Sequence, residues 1–291
     1  MVNFEDHVFP VEKYRLIYEK LLRMGVKRDL ILEARPADEE DLLLVHTPKY
    51  LKKLKTGKLS QSEILTLELP YTPELLKFAL IHVGGTILAS QKAHEDGLAV
   101  HLGGGFHHAF PDHGEGFCVV NDVAVALEKM KREGKIEKAM VVDCDVHQGN
   151  GTALIFAKKD YAFTFSIHQM DIYPAQKPMS SLDVGLWSGD GDREYLGALC
   201  SHIPKIYEEF RPDLIFYLAG ADPFQHDQLG SLNLTDEGLL QRDRIVIEEA
   251  RRLRIPLVIL LAGGYAHRVE DTVDIHLNTI RVAQKVGRRY H

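Results

Sequence analysis

Five short runs of the chain are almost wholly apolar, and longer segments with apolar residues at helical spacing lie between them. The predicted strands are 98–104, 138–145, 161–168, 212–220 and 255–264. The predicted helices are 14–25, 73–93, 121–134, 195–210 and 238–253, with a kink or break at Pro204. Apolar strands alternating with helices are typical of a parallel sheet covered on both faces. The pattern predicts an α/β fold with one open sheet, and a single domain over residues 1–291.

Composition and charge narrow the setting of the protein. The 291 residues carry a formal net charge of −7, which does not favour nucleic acid or an anionic membrane surface as a partner. Three scattered cysteines are too few for a disulfide framework. Neither a signal sequence nor an apolar run of about 18 residues is present. We therefore expect a cytoplasmic protein without nucleic-acid or membrane partners, and no oligomeric state is predicted.

Polar residues follow all five predicted strands. The segments LAVHLGGGFHH, KAMVVDCDVHQGNG, FTFSIHQMD, LIFYLAGADP and LVILLAGGYA each pass from apolar residues to Gly, His, Asp, Ser or Tyr. Ligands bind at the carboxyl ends of parallel strands in such sheets. The sequence therefore predicts one polar site along this edge.

The stretch VVDCDVHQGNGT (141–152) places Asp143, Asp145 and His147 two residues apart. Side chains alternate along a strand, so the three share one side. Neighbouring carboxylates repel unless a cation neutralises them, and zinc accepts carboxylate and imidazole ligands. Asp222, after another strand, offers a further ligand. Helix capping or salt bridges would explain an isolated motif of this kind, and spacing alone leaves open which carboxylate binds a metal.

Two further strand ends suggest proton transfer and charge stabilisation. His107 and His108 follow three glycines, and paired imidazoles beside a metal can act as a general acid and base. Tyr265 follows Gly263 and Gly264, so its hydroxyl could donate to a developing oxyanion. The alternatives are adjacent surface histidines and a rim tyrosine without a chemical role.

Five ordered motifs resemble the zinc-dependent histone deacetylase family. They are GGGFHHAFPDHGEGFCVVND (103–122), VVDCDVHQGNGT (141–152), SIHQMDIYP (166–174), LAGADPFQHDQLGSLNLT (218–235) and LLAGGY (260–265). The resemblance runs from about residue 7 to about residue 286 and is strongest to the class IV branch and its bacterial relatives. It implies the arginase–deacetylase fold, one catalytic Zn²⁺ or Fe²⁺, and a structural K⁺.

The same resemblance assigns roles to residues of this chain. It implies Asp145, His147 and Asp222 as metal ligands, and His108 as the general base and acid. It pairs His107 with Asp143 and places Asn150 behind His108, while Tyr265 polarises the substrate carbonyl. The implied substrate-binding residues are Gly116, Phe117, Tyr173 and Gly264. The implied potassium site comprises Asp143, Asp145, His147, Ser166 and Ile167.

The implied reaction is removal of acetyl or longer acyl groups from lysine side chains of a protein or peptide. A deacetylase for acetylpolyamines or other small acylated amines is the first alternative. A two-metal, arginase-like ureohydrolase and a non-catalytic acyl-lysine binder are the others. The compact chain favours a bacterial source.

Two features depart from the family pattern. Family members usually carry an extra strand before the segment that resembles HVFPVEKYR, whereas about six residues precede His7 here. We therefore expect that this strand is absent or that the start site differs. The acidic loop residue that grips the substrate backbone in some members has no clear counterpart, and Glu68 is the candidate.

Overall fold

A computed structural model of the protein describes residues 7–289. The strands are β1 (Leu98–His101), β2 (Ala139–Asp143), β3 (Ala162–Gln169), β4 (Leu182–Leu186), β5 (Leu214–Leu218) and β6 (Leu257–Leu260). The helices are α1 (Glu12–Arg23), α2 (Glu39–Leu42), α3 (Pro48–Thr56), α4 (Gln61–Leu67), α5 (Pro73–Asp96), α6 (Asp122–Arg132), α7 (Asn150–Phe156), α8 (Asp192–Phe210), α9 (Asp236–Arg252) and α10 (Val269–Arg289). A short 3₁₀ turn spans Arg28–Leu30.

The six strands form one parallel sheet in the order β1-β6-β5-β2-β3-β4. Successive residues of β2 face opposite sides of this sheet. Val141 packs in one buried cluster with residues of α5 and α6, and Val142 in another with residues of α8, α9 and α10. The predicted open parallel sheet with helices on both faces is confirmed.

Local sequence explains where several elements begin. The Asn121 side chain accepts a hydrogen bond from the Ala124 N–H and caps α6. Ser60 and Glu63 form a reciprocal capping box at the start of α4. Pro73 occupies the first turn of α5, where a missing N–H costs nothing.

The predicted elements differ from the observed ones in identifiable places. Helix α8 runs unbroken through Pro204, so the predicted break is wrong. Cys200, whose carbonyl loses its helical partner, is exposed, so water can satisfy that carbonyl. Strand β4 and helices α2, α4, α7 and α10 were not predicted. The expectations about an extra N-terminal strand and about a domain over 1–291 involve residues 1–6 and 290–291, outside the described residues. None of the helices within residues 7–289 has an apolar stretch that could cross a bilayer.

Candidate active site

The strand order brings the ends of β2 and β5 together where the sheet reverses its winding. From β2 the chain winds outward through β3 and β4, and it then returns to form β5 on the other side of β2. Ligands bind at the carboxyl ends of the strands at such a switch point. Asp145 and His147 follow β2, and Asp222 follows β5. All three therefore lie where a bound ligand is expected.

Asp145, His147 and Asp222 form a buried cluster whose ligand-type atoms all lie within 4.8 Å of one another. His147 Nδ1 is 3.1 Å from Asp145 Oδ1 and 3.7 Å from Asp222 Oδ2. Burial and the charge of Asp145 raise the pKa of Asp222 to about 7. Burial lowers the pKa of His147, but the proximity and charge of the two carboxylates together outweigh burial and raise it to about 10. The cluster therefore attracts positive charge.

The donor set and the space around it fit a metal ion. Among residues 7–289, Asp222 Oδ2 is buried without a hydrogen-bond partner, whereas its Oδ1 accepts the Val146 N–H at 2.9 Å. A Cβ at Gly263 would overlap Asp222 Oδ2 and come within 2.5 Å of Asp145 Oδ2. Two carboxylates and an imidazole suit zinc, and a three-ligand protein set leaves a position for water.

A chain of hydrogen bonds links Asp143, His107, His108 and Asn150. Asp143 Oδ2 lies 2.6 Å from His107 Nδ1, so this carboxylate pairs with the imidazole. His107 Nε2 is 3.1 Å from His108 Nε2, and His108 Nδ1 is 2.7 Å from Asn150 Oδ1. The structure thus brings together all four residues for which proton-transfer roles were predicted.

The two histidines have opposite electrostatic environments. Burial lowers the pKa of His107, but the charges of Asp143 and Asp145 and the hydrogen bond to Asp143 together outweigh burial and raise it to about 9. Burial and the positive charge of His107 lower the pKa of His108. Of the pair, His108 is therefore the one held neutral and able to accept a proton.

The side chains of Asn121 and Asp122 hydrogen-bond to the backbone of the loop that carries both histidines. Asn121 Nδ2 donates to the carbonyls of His107 and Ala109, at 3.3 and 3.2 Å. The Asp122 carboxylate accepts the N–H groups of Gly105 and Phe106. These bonds fix the backbone on both sides of the two imidazoles.

Tyr265 reaches the same cavity from the loop after β6. Its N–H donates to Asp227 Oδ2 at 2.7 Å, and its carbonyl accepts from Gln228 Nε2 at 2.8 Å. Gly264, just before it, has φ 146°, which favours glycine. Burial, followed by the charges of Asp145 and Asp222, raises the pKa of Tyr265. The phenol therefore stays protonated and can donate a hydrogen bond.

A cavity of about 180 Å³ opens over these groups. Its lining includes the predicted substrate-binding residues Gly116, Phe117 and Tyr173, together with Glu68. A Cβ at Gly116 would lie 2.7 Å from Tyr173 Oη and 2.9 Å from His108 Cδ2, so glycine allows both rings to approach. Gly264 does not line the cavity, and its backbone instead leads into Tyr265.

The residues predicted to bind K⁺ lie in the adjacent strands β2 and β3 or directly after β2. The parallel register pairs Asp143 of β2 with Ser166 of β3, and Ile167 follows in β3. Ser166 Oγ is 2.9 Å from His168 Nδ1. Occupation of this site by K⁺ stays a prediction.

Three residues beside the site were not predicted from the sequence. Lys13 Nζ is buried and donates to the Ala262 carbonyl at 2.8 Å; burial lowers its pKa to about 8 despite nearby carboxylates. Asp227 holds the Tyr265 backbone, and Glu115 contacts Asn150. The available signal for Lys13 was its position on the apolar stripe of α1, with Ile17 and Leu21.

Comparison with known proteins identifies relatives of this chain. A family model described as the histone deacetylase domain matches residues 7–280. An uncharacterized protein of Picosynechococcus sp. is 39% identical over 97% of this chain and 94% of its own length. Histone deacetylase 2 of Arabidopsis thaliana is 32% identical, covering 92% of this chain and 73% of its own. A probable deacetylase of Methanothermobacter thermautotrophicus is 32% identical, and the match covers 90% of this chain and 82% of the length of that protein.

A solved structure shows the same fold. The crystal structure of the HDA15 HD domain superposes with a TM-score of 0.79, covering 100% of this chain and 89% of that chain at 24% sequence identity. The predicted arginase–deacetylase fold is thereby confirmed.

Proposed function

The chain belongs to the histone deacetylase family, and we propose that it is a metal-dependent amidohydrolase that removes acetyl or longer acyl groups from lysine side chains. One observation carries this proposal. Asp145, His147, His108 and Tyr265 line a single cavity together with the aromatic side chains of Phe117 and Tyr173. A cavity lined by both aromatic side chains and polar groups suits an alkyl amine stem with an amide at its end.

Asp145, His147 and Asp222 would hold the metal ion, which we propose to be Zn²⁺ or Fe²⁺. When bound, such an ion supplies Lewis acidity toward the amide carbonyl and lowers the pKa of water at the site. Asp145, His147 and Asp222 are all buried, and electrostatic effects are strong in the low-dielectric environment that burial produces.

His108 would carry the proton between the reactants. Its Nδ1 faces Asn150 Oδ1, an acceptor, so Nδ1 carries the hydrogen and Nε2 has the lone pair. Nε2 takes the proton from water as its oxygen bonds to the carbonyl carbon, and then gives it to the amine nitrogen as the C–N bond breaks. The products are a carboxylic acid and an amine, which at neutral pH are present as a carboxylate and an ammonium ion.

Tyr265 would stabilise the oxyanion that forms from the carbonyl oxygen. Because the phenol stays protonated, it can donate a hydrogen bond as negative charge develops. His107, held by Asp143, adds positive charge beside the reacting atoms.

Deacylation of a small acylated polyamine is the second candidate. Glu68 lines the same cavity, and its carboxylate could pair with a second amine of such a substrate. A two-metal ureohydrolase is less well supported, because the described residues contain one cluster able to hold a metal ion.

A substrate panel separates these candidates. Acyl-lysine peptides from acetyl to myristoyl and N-acetylputrescine would be compared by kcat/KM with the metal-loaded protein. We expect the highest value for an acyl-lysine peptide. A higher value for N-acetylputrescine would assign the small-amine activity, and no hydrolysis of any of these compounds would refute the proposal.

A further inference from the structure

Glu115 is hydrogen-bonded to two residues of the site, Asn150 and Tyr173, and so connects them. Glu115 Oε1 accepts from Asn150 Nδ2 at 2.7 Å and from Tyr173 Oη at 2.9 Å. Its second oxygen lies 3.4 Å from His113 Nε2. The side chain is 18% exposed, so these bonds are only partly screened by water.

A tight turn places Glu115 under the cavity wall. Glu115 and Cys118 exchange both backbone hydrogen bonds, at 3.1 and 2.8 Å, around Gly116 and Phe117. These two residues have φ values of 49° and 67°, as a type I′ turn requires. Phe117 adopts an unfavourable conformation for a residue with a side chain. The turn that presents the wall to the cavity thus also points Glu115 at Asn150.

Glu115 is held as a carboxylate. Burial alone would raise the pKa of Glu115, but hydrogen bonds from His113, Tyr173 and Asn150 outweigh burial and lower it. An ionised carboxylate only accepts hydrogen bonds. The Asn150 amide must therefore turn its NH₂ group toward Glu115.

The orientation of this amide favours one of the two tautomers of His108. With Nδ2 directed at Glu115, Oδ1 faces His108 Nδ1 at 2.7 Å and the Gly151 N–H at 3.0 Å. An amide oxygen only accepts, so His108 must bear its hydrogen on Nδ1. A reversed amide would present a donor to His108 and favour the opposite tautomer.

We propose that Glu115 is a positioning residue that orients Asn150 and thereby keeps the His108 Nε2 lone pair available for proton transfer. The role of His108 in this statement rests on the proposed function. The hydrogen-bond relay His108–Asn150–Glu115 ends in a charge, so a neutral amide and a carboxylate together support the imidazole. Tyr173, bonded to the same oxygen, ties the cavity wall to this relay.

The first test is the tautomer of His108, measured by side-chain ¹⁵N NMR. Wild type should show hydrogen on Nδ1, whereas Glu115→Met, which removes the acceptor, should populate the Nε2–H form. Glu115→Gln keeps an acceptor oxygen and should retain the wild-type tautomer. Tyr173→Phe is the matched control, because it removes only the other bond to Glu115. An unchanged tautomer in Glu115→Met would overturn the proposal.

The second test exchanges the two side chains. Asn150→Asp alone places a second carboxylate against that of Glu115. The two repel each other, and kcat should fall by roughly tenfold or more. Adding Glu115→Gln supplies an amide that can donate to the carboxylate introduced at position 150, so the double variant should recover most of that loss, with KM little changed. Purely additive effects would contradict the relay, and this comparison needs only variants that keep the size of both side chains.

The two tests separate this inference from the proposed function. If the metal-loaded wild type hydrolyses no acyl-lysine peptide, the proposed function fails, while the NMR measurement still decides the orientation of Asn150. If hydrolysis is normal but neither the tautomer nor the exchanged pair responds, only the role of Glu115 is lost.

Discussion

At the residue scale, the hydroxyl of Tyr265 is the group whose removal should change the chemistry most selectively. Tyr265→Phe keeps the ring that packs against Phe9 and Phe117 and deletes one hydrogen-bond donor. Loss of an oxyanion donor typically lowers kcat by roughly 10²–10³. We expect that loss in kcat on an acetyl-lysine peptide, with metal content unchanged by elemental analysis.

Tyr161→Phe provides the control for that variant. Its hydroxyl bonds Glu128 at 2.7 Å, outside the cavity, so kcat should be unaffected. Near-wild-type kcat for Tyr265→Phe with full metal content would show that Tyr265 does not stabilise the transition state.

Residue spacing predicted which side chains meet but not what each contacts. Strand β2 ends at Asp143, so the two-residue alternation no longer describes Asp145 and His147 beyond it. Asp143 turns to His107, as the family resemblance implied and spacing alone could not decide. Glu115 lies in the segment 103–122 that resembles the family, but its proposed role depends on a turn conformation and an amide orientation that residue spacing does not determine.

At the element scale, the loop after β6 leaves space at the proposed metal site because Gly263 has no side chain. In Gly263→Ala, the new Cβ would overlap Asp222 Oδ2 and approach Asp145 Oδ2. We expect weaker binding of Zn²⁺ in a chelator-competition titration, with the fold retained by circular dichroism.

Gly197→Ala in α8 is the matched control. A Cβ at Gly197 meets nothing within 4 Å, and Ala favours a helix by up to about 1 kcal/mol. This variant should bind Zn²⁺ like wild type. Equal affinity for Zn²⁺ in both variants would contradict the placement of the ion beside Gly263.

The elements that the sequence predicted are those with uniform apolar patterns. Five of the six strands followed from buried runs, although three predicted ranges continued into the glycines that follow β1, β5 and β6. Strand β4 lies at the sheet edge and alternates between covered and exposed residues, so a search for wholly apolar runs missed it. Helix α10 was missed although its buried residues recur at helical spacing.

At the scale of the whole molecule, buried neutral histidines link stability to pH. His46, between α2 and α3, accepts the N–H of Asn121 at 3.1 Å and so connects these helices to the loop behind His107. Burial lowers the pKa of His46 to about 4 from 6.5. As the pH falls, His46 is therefore protonated in the unfolded chain before it is protonated in the folded protein. The stability that the buried neutral His46 contributes is present above pH 6.5 and is lost as the pH falls toward 4.

His46→Gln removes the titration and keeps an acceptor. Between pH 7 and pH 5, the free energy of unfolding of wild type should fall by about 2 kcal/mol more than that of the variant. Urea titrations at both pH values measure this difference, with the exposed His94→Gln as control. An equal fall in wild type and His46→Gln would exclude His46 as a source of acid sensitivity.

The central claim is that this fold carries a metal-dependent deacylase. Its most direct test measures how fast the purified protein deacetylates an acetyl-lysine peptide. The rate is measured before a chelator removes the metal, after its removal, and after addition of Zn²⁺ or Fe²⁺. Asp222→Ala is assayed in parallel, with metal content measured. We predict hydrolysis that disappears on chelation, returns with metal, and is absent in a metal-depleted Asp222→Ala. Hydrolysis that survives complete metal removal, or full metal content and activity in Asp222→Ala, would contradict the account.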